Sequence, residues 1–281
     1  MQTFFICPHW GQAHIPLSRF MEKLLEANYD GVEINLTGNN GFTGEFMDEL
    51  EIVFETRPDF IFIAQQVLGP ANETVKEYIG RMTETLDFLA RLKPHFINSH
   101  TGKDHFSFDD NCRVIEAAMK ISAKTGIRIL HETHRGRFSF HAASLTPYLD
   151  KFPELELTGD FSHFTTVSES LLQDQEEILN RIIPHVAHLH ARVGFEQAAQ
   201  VNDPFAPEWE NHLNIFLNWW QKILLHRKQK GDKTFTATME CGPVPYMPVL
   251  PYTQQPVSDQ WNINISMKDL LTTFFKASLH K

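Results

Sequence analysis

Short apolar runs alternate along the chain with longer segments whose apolar residues recur at helical spacing, as in ETVKEYIGRMTETLDFLARLK. The strand candidates are FFIC (4–7), GVEIN (31–35), FIFIA (60–64), FINSH (96–100), RILHET (128–133), LELTGDF (155–161), VAHLHA (186–191) and FTATMEC (235–241). Alternating strands and helices predict an α/β protein with a parallel sheet, and eight strands are the number that closes a (β/α)₈ TIM barrel.

A doubly wound open sheet is the main competing fold. That fold usually carries a Gly-rich phosphate turn after its first strand, and CPHWGQAH does not supply one. Because no linker or low-complexity tract interrupts the pattern, we expect residues 1–281 to form a single barrel domain. The Pro-rich stretch 243–256 is interpreted as a long loop after the last strand. Helix N-caps are expected at Asn72, Asp109 and Ser168, and helix ends at Pro94, Gly126 and Pro184.

The composition of the chain limits the binding partners and the cellular compartment that we expect. The chain is 42% hydrophobic and 21% charged, as is usual for a protein with a large core, and its net charge of -10 argues against nucleic acid as a partner. Cys7, Cys112 and Cys241 are too scattered for a disulfide framework and are expected to be reduced thiols in the cytoplasm. MQTFFICPHWG lacks the features of a signal peptide, and no apolar run approaches the roughly 20 residues that span a membrane.

Potential metal ligands stand at the ends of the last four predicted strands, where barrels collect functional side chains. They are Glu132, Asp160, His190 and Glu240, one from each strand. Three carboxylates and an imidazole form an oxygen-rich site for one divalent cation, suited to Mn²⁺, Mg²⁺ or Co²⁺ and also acceptable to Zn²⁺. The absence of cysteine from the set argues against a structural zinc site. The competing interpretation is four unrelated polar residues, each satisfied by local hydrogen bonds.

The motifs GVEIN, HET, GDFSH, HLHAR and MEC together resemble the xylose-isomerase-like TIM barrels. This superfamily contains sugar isomerases and epimerases, tagatose epimerases, inosose dehydratases and endonuclease IV. The order Glu, Asp-x-x-His, His-x-His, Glu is similar to the family metal site over essentially the full length, and HETHRGR resembles a branch described as sugar phosphate isomerase/epimerase. The resemblance implies that Glu132, Asp160, His190 and Glu240 bind the cation. It also implies that Glu132 and Glu240 exchange a proton from opposite faces of a substrate carbon.

Further polar residues near these strand ends are candidates for binding substrate. The resemblance implies that His163 and Arg192 contact substrate oxygens. Candidates for additional hydroxyls, a carboxylate or a phosphate are His100, His134, Arg135 and Arg137. Trp10 is a candidate for stacking on an apolar sugar face, and His188 is expected to face away from His190 and to have a packing or hydrogen-bonding role.

The function that these residues favour is a metal-dependent isomerase or epimerase of a sugar, sugar acid or cyclitol, working through an enediolate. A dehydratase of a related polyol or keto-sugar is the first alternative. An endonuclease-IV-like phosphodiesterase is disfavoured because strand three ends in Gln65 and Gln66 instead of the histidine of that group. A barrel that binds sugar without turnover is a further alternative. The expected partner is a small carbohydrate substrate. We expect no nucleic acid and no membrane as partners, and the sequence is compatible with a homo-oligomer.

Overall fold

The structure is a computed structural model that describes residues 1–280. The strands are β1 (Gln2–Pro8), β2 (Gly31–Asn35), β3 (Ile61–Gln66), β4 (Phe96–Ser99), β5 (Ile129–Glu132), β6 (Leu157–Gly159), β7 (Val186–Ala191) and β8 (Thr234–Met239). The helices are α1 (Leu17–Glu26), α2 (Gly41–Thr56), α3 (Val75–Arg91), α4 (Phe108–Thr125), α5 (Ala142–Lys151), α6 (Ser162–Ser168), α7 (Glu176–Ile182), α8 (Glu210–Lys230) and α9 (Gln260–Leu279). The strands form a closed parallel barrel in the order β1 to β8, which confirms the predicted (β/α)₈ fold.

The strands are buried along most of their length, and this explains why the sequence shows continuous apolar runs in place of strict alternation. The runs GVEIN and VAHLHA coincide with β2 and β7, whereas LELTGDF extends beyond the short β6 at both ends. At the start of β2, a Cβ on Gly31 would lie 2.3 Å from the backbone oxygen of Ile61. The close approach of β3 therefore requires glycine at this position.

The N-cap of helix α3 lies two residues after Asn72, where we expected it, so that expectation is wrong. Thr74 is the N-cap and forms a capping box with Glu77: the Thr74 amide donates to Glu77 Oε2 at 2.8 Å, and the Glu77 amide donates to Thr74 Oγ1 at 3.3 Å. The reciprocal bonds need a three-residue spacing, which the Thr-x-x-Glu pattern supplies. Pro94 follows the C-cap of α3, as expected.

Helix α4 also differs from expectation at its start. The N-cap is Ser107, whose Oγ accepts from the amide of Asp110 at 3.1 Å, and Asp109 lies within the first turn. An acidic residue there is favourable because the helix N-terminus is positive. The predicted end at Gly126 is confirmed, since this residue is the C-cap and has a φ of 73°.

The segment between β6 and β7 contains two short helices, although we expected one helix with its N-cap at Ser168 and its end at Pro184. Ser168 was expected to be an N-cap but is the last residue of α6, and α7 begins only at Glu176. Pro184 follows α7 within a short 3₁₀ helix, Ile183–His185, and so lies close to the predicted helix end. A second 3₁₀ helix, Pro207–Trp209, precedes α8.

Tertiary contacts divide the chain into two compact units, with boundaries inside β1 and inside the loop after β5. One unit contains residues 6–132 and 136–138, and therefore β2 to β5 and α1 to α4. The other unit contains residues 1–5, 133–135 and the chain from 139 onward, and therefore β6 to β8 and α5 to α9. Among residues 1–280, no helix has the length and apolar character needed to cross a membrane.

Candidate metal centre

The four predicted ligands stand at the carboxyl ends of the last four strands. Glu132 ends β5, Asp160 follows β6, His190 is the penultimate residue of β7, and Glu240 follows β8. All four side chains are buried. One nitrogen or oxygen atom from each lies within 4.8 Å of the corresponding atoms of the other three. The structure therefore brings these residues into one cluster, called here the four-ligand cluster.

The chemistry of this cluster fits a divalent cation. Placing three carboxylates together in a buried site is unfavourable unless opposite charge compensates them. The guanidinium of Arg192 contacts Asp160 and Glu240 and supplies one positive charge. A bound divalent cation would compensate the two negative charges that remain when all three carboxylates are ionised. Oxygen-rich ligand sets of this type suit Mg²⁺ and Mn²⁺, and a histidine ligand is also compatible with Zn²⁺ or Co²⁺.

Asp160 is oriented by contacts to both of its carboxylate oxygens. The backbone amide and the hydroxyl of Ser162 donate to Oδ1 at 3.0 and 2.5 Å, and Arg192 donates to Oδ2 through Nη2. The Asp160 amide donates to Thr133 Oγ1 at 2.8 Å, which ties the backbone to the residue that follows β5. These contacts fix the direction of the carboxylate before any ligand binds.

Arg192 links most of the charged groups on this side of the cluster. Its guanidinium lies 3.4 Å from Glu240 Oε2, and it donates to Nε2 of His163 at 2.9 Å and to Ser162 Oγ at 3.2 Å. Burial lowers the pKa of Arg192, but the charges of Asp160 and Glu240 raise it by more, so the net pKa is raised and the side chain stays charged. The two residues predicted to contact substrate oxygens, His163 and Arg192, are thus adjacent to the predicted ligands.

Glu132 is held by a different set of neighbours. Asn98 Nδ2 donates to Glu132 Oε2 at 2.8 Å and to Glu33 Oε1 at 2.9 Å. Nε2 of His100 lies 2.9 Å from the same Glu132 oxygen, and Nη2 of Arg137 lies 3.4 Å from His100 Nδ1. Because a guanidinium only donates, Nδ1 is an acceptor and the proton of a neutral His100 ring lies on Nε2, directed at Glu132.

The loop after β8 adds a residue that the sequence had not indicated. The ring of Tyr246 lies 5.0 Å from Cζ of Arg135 and 4.7 Å from Cζ of Arg192. Its hydroxyl lies 3.4 Å from Nε2 of His134, whose ring centroid is 3.9 Å from that of His163. The structure therefore places the predicted residues His134 and Arg135 around Tyr246, next to the arginine that contacts the four-ligand cluster.

His188 does not face away from His190, and that expectation is wrong. The two rings are 5.3 Å apart, because residues two apart on a strand point to the same side. His188 is buried, with Nδ1 at 2.7 Å from Thr236 Oγ1 and Nε2 at 3.0 Å from Thr238 Oγ1. Its hydrogen bonds to β8 agree with the structural role that we expected.

Trp10, the candidate for stacking on a sugar, lies two residues after the end of β1 and is 36% exposed. This position is at the carboxyl end of a strand, as the other candidates are. Its role in binding stays a prediction.

Three residues of the site were not predicted from the sequence, although the position of each in the chain gave a weak indication. Asn98 precedes His100 by two positions in the same predicted strand, and Ser162 follows Asp160 by two positions as the first residue of α6. Tyr246 lies in the loop after β8, which belongs to the loops that line the functional face of a barrel.

Comparison with known proteins supports the fold. No family model and no curated protein matches the sequence. The probable 3-DHS dehydratase AsbF of Bacillus anthracis, involved in petrobactin synthesis, has 16% identity over 97% of this chain and 99% of its own, with a TM-score of 0.62. A xylose isomerase-like TIM barrel protein of Mycobacterium smegmatis, in complex with magnesium, has 10% identity over 98% and 97%, with a TM-score of 0.63. The IolI protein with a bound zinc atom has 13% identity over 97% and 98%, with a TM-score of 0.60. The chain therefore has the fold of the xylose isomerase-like TIM barrels.

Proposed function

We propose that the protein is a divalent-metal-dependent isomerase or epimerase of a sugar, a sugar acid or a cyclitol. The observation that carries the proposal is the four-ligand cluster, in which Glu132, Asp160, His190 and Glu240 lie within 4.8 Å of one another. Two of the four are glutamates, and a glutamate can act as general base or general acid in proton transfer at a carbon next to a carbonyl. Magnesium and zinc are bound by proteins of the same fold, which is consistent with this use of the cluster.

The four residues of the cluster would hold the cation. A bound divalent cation would polarise the substrate carbonyl and would stabilise the negative charge that develops when the neighbouring carbon loses a proton. Glu132 or Glu240 accepts that proton, and the other glutamate supplies one from the opposite face of the carbon. Return of a proton to the same carbon inverts its configuration. Return to the former carbonyl carbon, with the proton of the neighbouring hydroxyl passing to the former carbonyl oxygen, interconverts an aldose and a ketose.

Neighbouring side chains position these two glutamates and the substrate oxygens. Arg192 stays charged and contacts Glu240, and with His163 it can donate to an oxygen that gains negative charge. On the other side, Asn98 and His100 both contact Glu132 Oε2 and direct the carboxylate. All four cluster residues are buried, which limits their contact with bulk water.

Exchange of substrate protons with solvent tests the proposal. The full-length protein with Mn²⁺ is incubated in deuterium oxide with ketoses, sugar acids and inososes, and deuterium on carbon is measured by NMR and mass spectrometry. We expect exchange with at least one substrate, and a loss of about 10²- to 10⁴-fold in Glu132→Gln or Glu240→Gln. Glu176→Gln is the control, because Glu176 is an exposed partner of Lys222 on the surface.

Other outcomes favour other functions. Sugar binding without exchange by the wild-type protein would contradict the proposal and favour a binding protein. Cleavage of a duplex with an abasic site would favour a phosphodiesterase.

A dehydratase is the second candidate, because the site also offers an acid for a leaving hydroxyl. Burial raises the pKa of Tyr246, so its hydroxyl is protonated at neutral pH, and it lies 3.4 Å from Nε2 of His134. Proton removal by a glutamate and protonation of the leaving hydroxyl together release one water molecule. Mass spectrometry of the same reactions separates the candidates, because an isomerase or epimerase conserves the molecular formula and a dehydratase product lacks one water.

A further inference from the structure

We propose that Arg135 binds an anionic group of the substrate, so that the substrate is a sugar acid or a sugar phosphate and not a neutral sugar. The inference rests on the proposed function and narrows its substrate class. A carboxylate and a phosphate present the same feature to a guanidinium, namely two oxygens that accept paired hydrogen bonds.

Arg135 differs from most arginines of the chain in its charge environment. Arginines that pair with a carboxylate are Arg19, Arg57, Arg81, Arg91, Arg113, Arg181, Arg192 and Arg227. Within residues 1–280 the guanidinium of Arg135 has neither an ion pair nor a hydrogen bond, and its contact is the ring of Tyr246. Its donors are therefore available to a ligand.

The contact with Tyr246 holds this exposed guanidinium in place. Its Cζ lies 5.0 Å from the ring centroid, a cation–π distance, and stacking on a ring leaves the N–H edges of a guanidinium directed outward. Tyr246 is in turn fixed by Arg192, whose Cζ is 4.7 Å from the ring, and by the contact of its hydroxyl with His134. An arginine held in this way loses less conformational entropy on binding than a mobile one.

Tyr246 also connects Arg135 to the residues proposed for the chemistry. The ring contacts both Arg135 and Arg192, and Arg192 contacts Asp160 and Glu240 of the four-ligand cluster. The ring of Tyr246 thus contacts both Arg135, whose donors are available, and Arg192, which contacts two of the proposed metal ligands. A substrate of sugar size can place its carbonyl at the cluster and an anionic end group at Arg135.

Three probes with the same carbon skeleton test the inference: D-gluconate, D-glucitol 6-phosphate and neutral D-glucitol. Binding of each to the full-length protein with Mg²⁺ is measured by isothermal titration calorimetry. We expect at least one anion to bind about tenfold or more tightly than D-glucitol, because paired hydrogen bonds from a guanidinium to an anion are stronger than hydrogen bonds to a neutral hydroxyl. Preference for gluconate would identify sugar acids, and preference for the phosphate would identify sugar phosphates.

Variants assign the preference to this arginine. Arg135→Gln should lose about tenfold in affinity for the preferred anion and keep its affinity for D-glucitol. Arg113→Gln, on the exposed surface of α4, should change neither. Tyr246→Leu should weaken anion binding, whereas Tyr246→Phe, which keeps the ring, should retain it. Matching melting temperatures of the variants would show that each is folded.

Two results would overturn the inference. In the first, neither anion binds more tightly than D-glucitol. In the second, Arg135→Gln keeps the preference for an anion. Failure of the proposed function is distinguishable from either. If only the proposed function fails, the wild-type protein exchanges no substrate protons in deuterium oxide but keeps its Arg135-dependent preference for an anion.

Discussion

The two glutamates proposed for proton transfer lie in different surroundings. Glu132 is held by an amide and an imidazole, through Asn98 at 2.8 Å and His100 at 2.9 Å. Glu240, with its neighbour Asp160, faces the guanidinium of Arg192. Glu132 is thus held by hydrogen bonds from an amide and an imidazole, whereas Glu240 is held by the permanent positive charge of Arg192. The comparison suggests that Arg192 makes the close approach of two carboxylates tolerable, whereas Asn98 and His100 mainly set the direction of one carboxylate.

Removal of Arg192 is the change for which we expect the largest effect on stability. In Arg192→Gln, buried Asp160 and Glu240 lose their shared positive partner, and breaking a buried ion pair costs about 3–5 kcal/mol. Chemical denaturation of the metal-free protein measures this loss. Added Mn²⁺ should restore part of it, since a cation that binds only the folded state stabilises it. A loss below about 1 kcal/mol would contradict the assigned role of the guanidinium.

Removal of Asn98 is expected to have a smaller effect. Asn98→Ala deletes hydrogen bonds to Glu132 and Glu33 but no charge, so we expect a loss of about 1–3 kcal/mol in the same assay. The ratio of the losses in unfolding free energy in Arg192→Gln and Asn98→Ala shows which set of contacts stabilises the site more. A loss in Asn98→Ala that equals or exceeds that of Arg192→Gln would show that the hydrogen bonds around Glu132, and not the permanent charge, dominate the stability of the site.

The fold could be predicted because its signals are local and periodic. Apolar runs such as GVEIN and VAHLHA coincide with strands because parallel strands are covered on both faces. Helix starts were predicted less well. Thr74 and Ser107 are the N-caps of α3 and α4, because their side chains accept a hydrogen bond from the amide three residues later. Ser168 shows that an apolar helical period does not specify where a helix is interrupted.

The ligand residues could also be predicted as a group, since Glu132, Asp160, His190 and Glu240 occupy equivalent positions at strand ends. Their neighbours could not. Asn98 and Glu33 are 65 residues apart in sequence, and the contact between Tyr246 and Arg135 depends on the path of a Pro-rich loop. The error about His188 was one of geometry, because alternation places His188 and His190 on the same side of β7.

Anomalous diffraction from crystals grown with Mn²⁺ is the decisive measurement for the four-ligand cluster, because it locates the ion and its ligands together. We expect one anomalous peak within about 2.0–2.3 Å of atoms from Glu132, Asp160, His190 and Glu240. A peak bound by other residues, or no peak at these four side chains at millimolar Mn²⁺, would contradict this expectation.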